Sequence, residues 1–183
     1  MALNAGIVPK TVVPRVLSTL RARRFLPMTL SSLLYLVKAL MPLNPSARGL
    51  VSESIARYWE PMICAGATSF WETQYGGDDF GQAGSLCHGW SALPVYYDQA
   101  WVLGIRPIEP GFRRFVISPY PDRFAEAEGT VPTPAGPIRI KWRRADRGLM
   151  VEASGPRSLE ATLSPLPEAP VSRATYNDHR LRG

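Results

Sequence analysis

Long apolar runs are missing from this sequence, and so are most of the residues that mark a cofactor site. No stretch reaches the roughly 18–20 apolar residues needed to span a bilayer. The nearest, "LSSLLYLVKALM", is shorter and contains Lys38. No glycine-rich phosphate loop precedes a helix in a strand–helix–strand setting, which excludes the common nucleotide-binding fingerprints. Histidine is limited to His88 and His179, and cysteine to Cys64 and Cys87. No second His or Cys lies at ligand spacing from His88, so no metal and no other cofactor is expected. Two cysteines build no disulfide framework, and two buried thiols are the expectation. Neighbours on a helix do not face each other, so Cys87 and His88 make no nucleophilic pair. Acid is also missing from the first fifty residues, which hold seven Lys or Arg and no Asp or Glu. That bias raises two readings, a transit peptide and a basic face for nucleic acid. Against both, "RARR" (21–24) is the only cluster, and the surrounding apolar spacing reads as packed helix. Neither nucleic acid nor a membrane is therefore expected as a partner, and a cytoplasmic location is expected.

What is present is a chain of 183 residues, 45% hydrophobic and 20% charged, with ample material for a core. Three helices are readable in its first third. Val12, Val13, Val16, Leu17 and Leu20 share one helical face. Leu30, Leu33, Leu34, Val37, Leu40 and Met41 share another, with Thr29 as its N-cap. Asn44 and Pro45 open a third helix, which carries Val51, Tyr58, Trp59 and Ile63 and ends at Gly66. A loop follows to residue 84. A fourth helix is expected from Ser85 to about Leu103, kinked at Pro94 and ended by Gly104. Beyond "RPIEPGF" the pattern changes to short alternating runs: "RRFVIS", "AEAEGTV", "GPIRIKWRR", "GLMVEAS" and "LEATLS". "RADRGLM" reads as a hairpin turn. The fold class is thus helices first and then a small antiparallel β-sandwich, with the boundary near residue 106. Residues 107–170 form the β-domain in this reading, and 171–183 a disordered tail.

One loop collects the residues that could do chemistry: Trp71, Glu72, Asp78, Asp79, His88 and Trp90. Aromatic faces beside a carboxylate suit the apolar face of a sugar and the acid–base chemistry of its glycosidic bond. The same residues suit a tryptophan core with a solvated charge at a helix end. Residue types alone leave both open.

Four segments in order carry a resemblance: "GATSFWE", "GSLCHGWSALPVYY", "VLGIRPIEPGFRRFVISP" and "GTVPTPAGPIRIKW". Together with the upstream "ALNAGIVP" and "YWEPMICAGATSFWE", they resemble the C-terminal part of bacterial α-L-rhamnosidases. These are inverting glycoside hydrolases with an (α/α)6 barrel followed by a β-sandwich. The resemblance implies that residues 1–106 are the last helices of an incomplete barrel. It implies Glu72 as the general base that activates water, Trp71 and Trp90 as the aromatic wall of the sugar site, and His88 as a polar contact to sugar hydroxyls. It assigns nothing to Asp78 or Asp79. The family's general acid lies upstream of the matched segments, and Glu53 and Glu60 have no matching motif. A polypeptide of this sequence is therefore expected to be inactive alone, with a rhamnoside or related glycan as ligand and the missing barrel half as a partner. The alternatives are a non-catalytic carbohydrate-binding or accessory module, and part of a related (α/α)6 hydrolase such as an α-L-fucosidase.

Overall fold

The computed structural model describes residues 2–22 and 29–182. Arg23 and Arg24 of the basic cluster lie outside them. The chain divides into two compact units, Met1–Pro94 and Val95–Gly183. The first is helical and the second mainly β, so helices precede strands as the sequence implies. Among the described residues no helix is long and apolar enough to cross a membrane.

In the helical unit, α1 runs Val13–Arg21 and α2 Leu33–Leu40, the latter preceded by a 3-10 turn at Leu30–Ser32. Thr29 stands in extended conformation before that turn, where its hydroxyl meets those of Ser31 (3.0 Å) and Ser32 (2.8 Å) rather than a backbone amide. The longest helix, α3, spans Pro45–Cys64. Asn44 caps it, its side-chain oxygen accepting from the Ala47 amide at 2.9 Å, and Pro45 occupies the first turn, where no backbone donor is needed. The other end is closed by Gly66 at φ +81°. Gly66 donates to the Ile63 carbonyl (3.0 Å) and Ala67 to that of Met62 (2.9 Å), which satisfies carbonyls the helix leaves open. Val37, Leu40, Met41, Val51, Trp59 and Met62 form the core of this unit. Buried Arg48 donates from Nε to the Met41 carbonyl at 2.8 Å, at the C-terminal end of α2. Ile63, expected on the buried stripe, is 71% exposed. Cys64 and Cys87 are free and exposed, which corrects the expectation of buried thiols. Cys64 is the last residue of α3, and Cys87 lies in the loop that follows.

The expected helix over 85–103 forms only in its second half. A distorted turn, α4 at Asp79–Gln82, and a 3-10 turn at Gly89–Ser91 precede a short α5 at Leu93–Tyr97. Leu86 and Trp90 fit the helical spacing in the sequence, yet both are exposed and lie outside α5. Pro94 sits in the first turn of α5 and so breaks no hydrogen bond. A π-helical turn, Asp98–Val102, continues the chain, with the Leu103 amide donating to the Asp98 carbonyl at 2.7 Å.

The β-unit contains a three-stranded sheet, ordered β1-β2-β6, and a five-stranded sheet, ordered β3-β4-β5-β7-β8. Their ranges are β1 Ile105–Pro107, β2 Arg114–Ile117, β3 Glu126–Val131, β4 Ile138–Ala145, β5 Gly148–Ser154, β6 Glu160–Leu163, β7 Val171–Tyr176 and β8 His179–Arg180. Ile138, Ile140 and Trp142 are fully buried while Arg139, Lys141 and Arg143 point outward, the period-two pattern of a half-covered sheet. Phe115 of β2 meets Tyr176 of β7 edge-on, ring centroids 5.5 Å apart, which joins the two sheets. Asp146 and Arg147 form the hairpin turn between β4 and β5.

Three features differ from expectation. The tail is not frayed: β7 pairs with β5 and buries Ala174 and Tyr176. Two pairings, β2 with β6 and β5 with β7, are parallel rather than antiparallel. After β5 the chain crosses to the other sheet as β6 before returning as β7, and a crossover of that kind permits parallel entry where a tight hairpin does not. The boundary also falls earlier than residue 106. Residues 98–105 pack with the β-unit because their carbonyls are used there: Ala100 accepts from Arg106 (2.7 Å), Trp101 from the Tyr120 amide (2.7 Å) and Val102 from Trp142 Nε1 (2.8 Å).

Candidate active site

The loop after α3 is held as a closed hairpin-like turn. Phe70 and Glu72 face the segment Ser85–His88: the Glu72 amide donates to the Ser85 carbonyl (2.9 Å) and the His88 amide to that of Phe70 (2.7 Å). The Ser69 hydroxyl adds a bond to the Leu86 carbonyl. Between these segments the chain folds back tightly on itself at two glycines. A methyl at Gly76 would stand 2.7 Å from the Trp71 ring, and one at Gly84 would stand 2.0 Å from the Gly76 carbonyl oxygen. The indole of Trp71 thus packs under the loop and fixes its path.

That arrangement brings Glu72 and His88 to one cavity of about 460 Å³, within the range of small-ligand sites. Its walls include Tyr58 from α3, Thr29–Ser31 from the turn before α2, and Trp90. Glu72 is half-buried, and its Oε2 accepts a long bond of 3.4 Å from the Ser85 amide. Among the described residues its other oxygen has no protein partner, so it is available to a ligand or a water. Trp90 is 79% exposed and lies edge-on to His88, ring centroids 6.3 Å apart. Below it, Trp59 Nε1 donates to the Ser91 carbonyl at 2.9 Å and ties the Gly89–Ser91 turn to α3.

Of the four residues singled out in the sequence, the fold brings Glu72, His88 and Trp90 to the cavity. Trp71 lies outside its lining, against Gly76. The sequence reading gave no site role to Tyr58, Tyr75 and Phe80 and named Asp79 without a role, and all four line it. Tyr58 was assigned to the helix stripe, and it stands half-buried on the wall, a placement that helical spacing alone does not signal. Phe80 gave no signal: it adopts φ +53°, and its amide donates to the Asp79 carboxylate at 2.9 Å, a local geometry that only coordinates reveal. Asp78 is exposed and does not reach the cavity. Among the described residues no three His, Cys, Asp or Glu are grouped to hold a metal.

The chain thus joins a helical unit, whose loop brings a carboxylate, a histidine and an aromatic to one cavity, to a two-sheet β-unit. Residues 104–179 match a family model described as the bacterial alpha-L-rhamnosidase C-terminal domain. An α-L-rhamnosidase of Alteromonas sp. (strain LOR) is 32% identical over 124 residues, which are 64% of this chain and 13% of the relative. The GH78 family rhamnosidase of Bacillus sp. GL1 superposes with a TM-score of 0.79 at 22% identity, covering 96% of this chain and 19% of that one. The α-L-rhamnosidase from Dictyoglumus thermophilum gives 0.72 at 20% identity, over 88% and 19%. The chain therefore spans less than a fifth of the length of these relatives.

Proposed function

We propose that this chain contributes the water-activating base and one wall of the sugar site to an α-L-rhamnosidase that hydrolyses terminal α-L-rhamnosyl residues with inversion. The observation that carries this reading is the meeting of Glu72, His88 and Trp90 in one cavity. Glu72 takes the proton of a water held against its free oxygen, and that water attacks the anomeric carbon from the face opposite the departing oxygen. Inversion needs about 6.5–9.5 Å between the two carboxyl groups, so the acid stands across the cavity from Glu72. His88 binds a sugar hydroxyl, the exposed face of Trp90 covers the apolar face of the ring, and Trp71 holds the loop in place. The leaving-group acid is assigned to a helical partner. Ile7, Ile63 and Leu86 are large, apolar and exposed in this unit and stand outside the cavity lining, and further helices of the same polypeptide or another would cover them.

The reading is tested in an assembly that also supplies the acid. There Glu72→Gln keeps the shape of the side chain and removes the base. It should cut kcat strongly and leave KM within a few-fold, because the loss is confined to the transition state. An unchanged kcat would remove Glu72 from the chemistry. The exposure of Trp90 favours a second reading, a module that binds glycan without turnover. Glycan binding abolished by Trp90→Ala, with turnover indifferent to Glu72→Gln, would establish it.

A further inference from the structure

The solvent-facing side of the five-stranded sheet is a second concavity, of about 840 Å³, formed entirely within the β-unit. Its composition follows from the strand register. Because Ile138, Ile140 and Trp142 turn inward, β4 must present Arg139 and Lys141 outward. Arg139 stands between Thr130 of β3 and Ser154 of β5, and Lys141 between Glu128 and Glu152. On the far side β7 adds Arg173 and Thr175, and the loop after β5 adds Arg157. One rim is rigid: the Asn177 side chain accepts from the Gly155 amide at 3.0 Å and donates to its carbonyl at 3.1 Å.

The charges on this surface are only partly matched. Lys141 pairs with Glu128 at 3.4 Å. Among the described residues Arg139, Arg157 and Arg173 have no carboxylate within ion-pair distance, although all three line the same concavity and are exposed. Planar guanidinium groups bind carboxylates through paired charge-assisted hydrogen bonds. Between them stand neutral hydroxyls, Thr130, Ser154 and Thr175, which match the donors and acceptors of sugar hydroxyls. From this juxtaposition we infer that the outer face of the β-unit binds an acidic oligosaccharide, its carboxylates on the arginines and its hydroxyls on the residues between them. A nucleic acid fits less well. The lining offers no aromatic ring on which a base could stack. This inference is independent of the catalytic reading, since it concerns a different surface and is read as binding rather than turnover.

The test is calorimetric titration of the full chain with an oligogalacturonate, with the same oligomer as its methyl ester, and with a single-stranded DNA. The acid oligomer should bind, weaken with added salt, and bind more tightly than either alternative. Arg139→Gln, Arg157→Gln and Arg173→Gln should each weaken binding, and all three together by about tenfold or more. Glu152→Gln removes a competing charge and should tighten it, a gain that misfolding cannot imitate. Trp90→Ala should leave it unchanged, which separates this surface from the cavity beside Glu72. Equal binding of the methyl ester, tighter binding of DNA, or arginine variants that bind as the parent does would each overturn the proposal, as would no binding of the acid oligomer at all.

Discussion

At Gly84 an added methyl would stand 2.0 Å from a backbone oxygen, whereas at Gly49, inside α3, it would meet nothing within 4 Å. The same substitution should therefore have opposite signs at the two positions. Gly49→Ala lowers the entropy of the unfolded chain and fills open space on a helix, and it should stabilise by about 0.5–1 kcal/mol. Gly84→Ala forces apart the two strands of chain that carry Glu72 and Ser85, and it should cost about 1–3 kcal/mol. Urea unfolding midpoints of the two variants provide the check. A Gly84→Ala midpoint equal to that of the parent would mean that the loop is not pinned there. Residue identity alone announced neither effect. "GGDDFG" reads as the most flexible part of the chain, yet two glycines near it mark close approach rather than freedom.

Among the elements, the π-helical turn Asp98–Val102 shows how packing and charge meet. Its last carbonyls are taken by Arg106, Tyr120 and Trp142, and the Arg106 guanidinium lies 4.1 Å above the Trp101 ring. Asp98 opens this turn. The residue keeps contact with solvent, but burial raises its carboxyl above the ordinary aspartate value of 3.8. A carboxyl raised in the folded state favours folding when protonated, and that contribution is lost as pH climbs from the unfolded value through the folded one. Asp98→Asn should therefore melt higher than the parent at neutral pH, with the difference closing below the carboxylate range. Melting curves at neutral and acid pH decide it, and a gain that persists in acid would point to a cause other than charge burial. The elements themselves were readable where periodicity was strict. Ile138, Ile140 and Trp142 announce β4, and Asn44–Pro45 announces α3. In β7 only Ala174 and Tyr176 are buried, and the register with β5 shifts between Leu149 and Met150, so alternation was too weak to separate it from a tail. In the segment before α5 the failure was the reverse. Leu86 and Trp90 fit a helical stripe by spacing alone, and the hydrogen bonds from 70–72 to 85–88 claimed that stretch first.

For the molecule as a whole, the question is how much of a reaction 183 residues can perform. Inverting hydrolysis needs a base for the water and an acid for the departing oxygen, on opposite sides of the sugar. In the proposed reading Glu72 fills the first role. Asp79 is the other carboxylate among the described residues of the cavity wall, and one of its oxygens accepts from the Phe80 amide. General acid catalysis contributes about 10²–10⁴-fold, and the share is smallest for an aryl rhamnoside with a good leaving group. Such a substrate is the most lenient assay, and we expect the polypeptide by itself to show no turnover of it above the Glu72→Gln variant. Adding the helical partner that carries an acid should restore activity to the parent and not to the variant. Turnover by the polypeptide alone, lost in Glu72→Gln, would mean that the acid lies within this chain. Asp79→Asn would then be the substitution to make next, because Asp79 is the other carboxylate on the cavity wall.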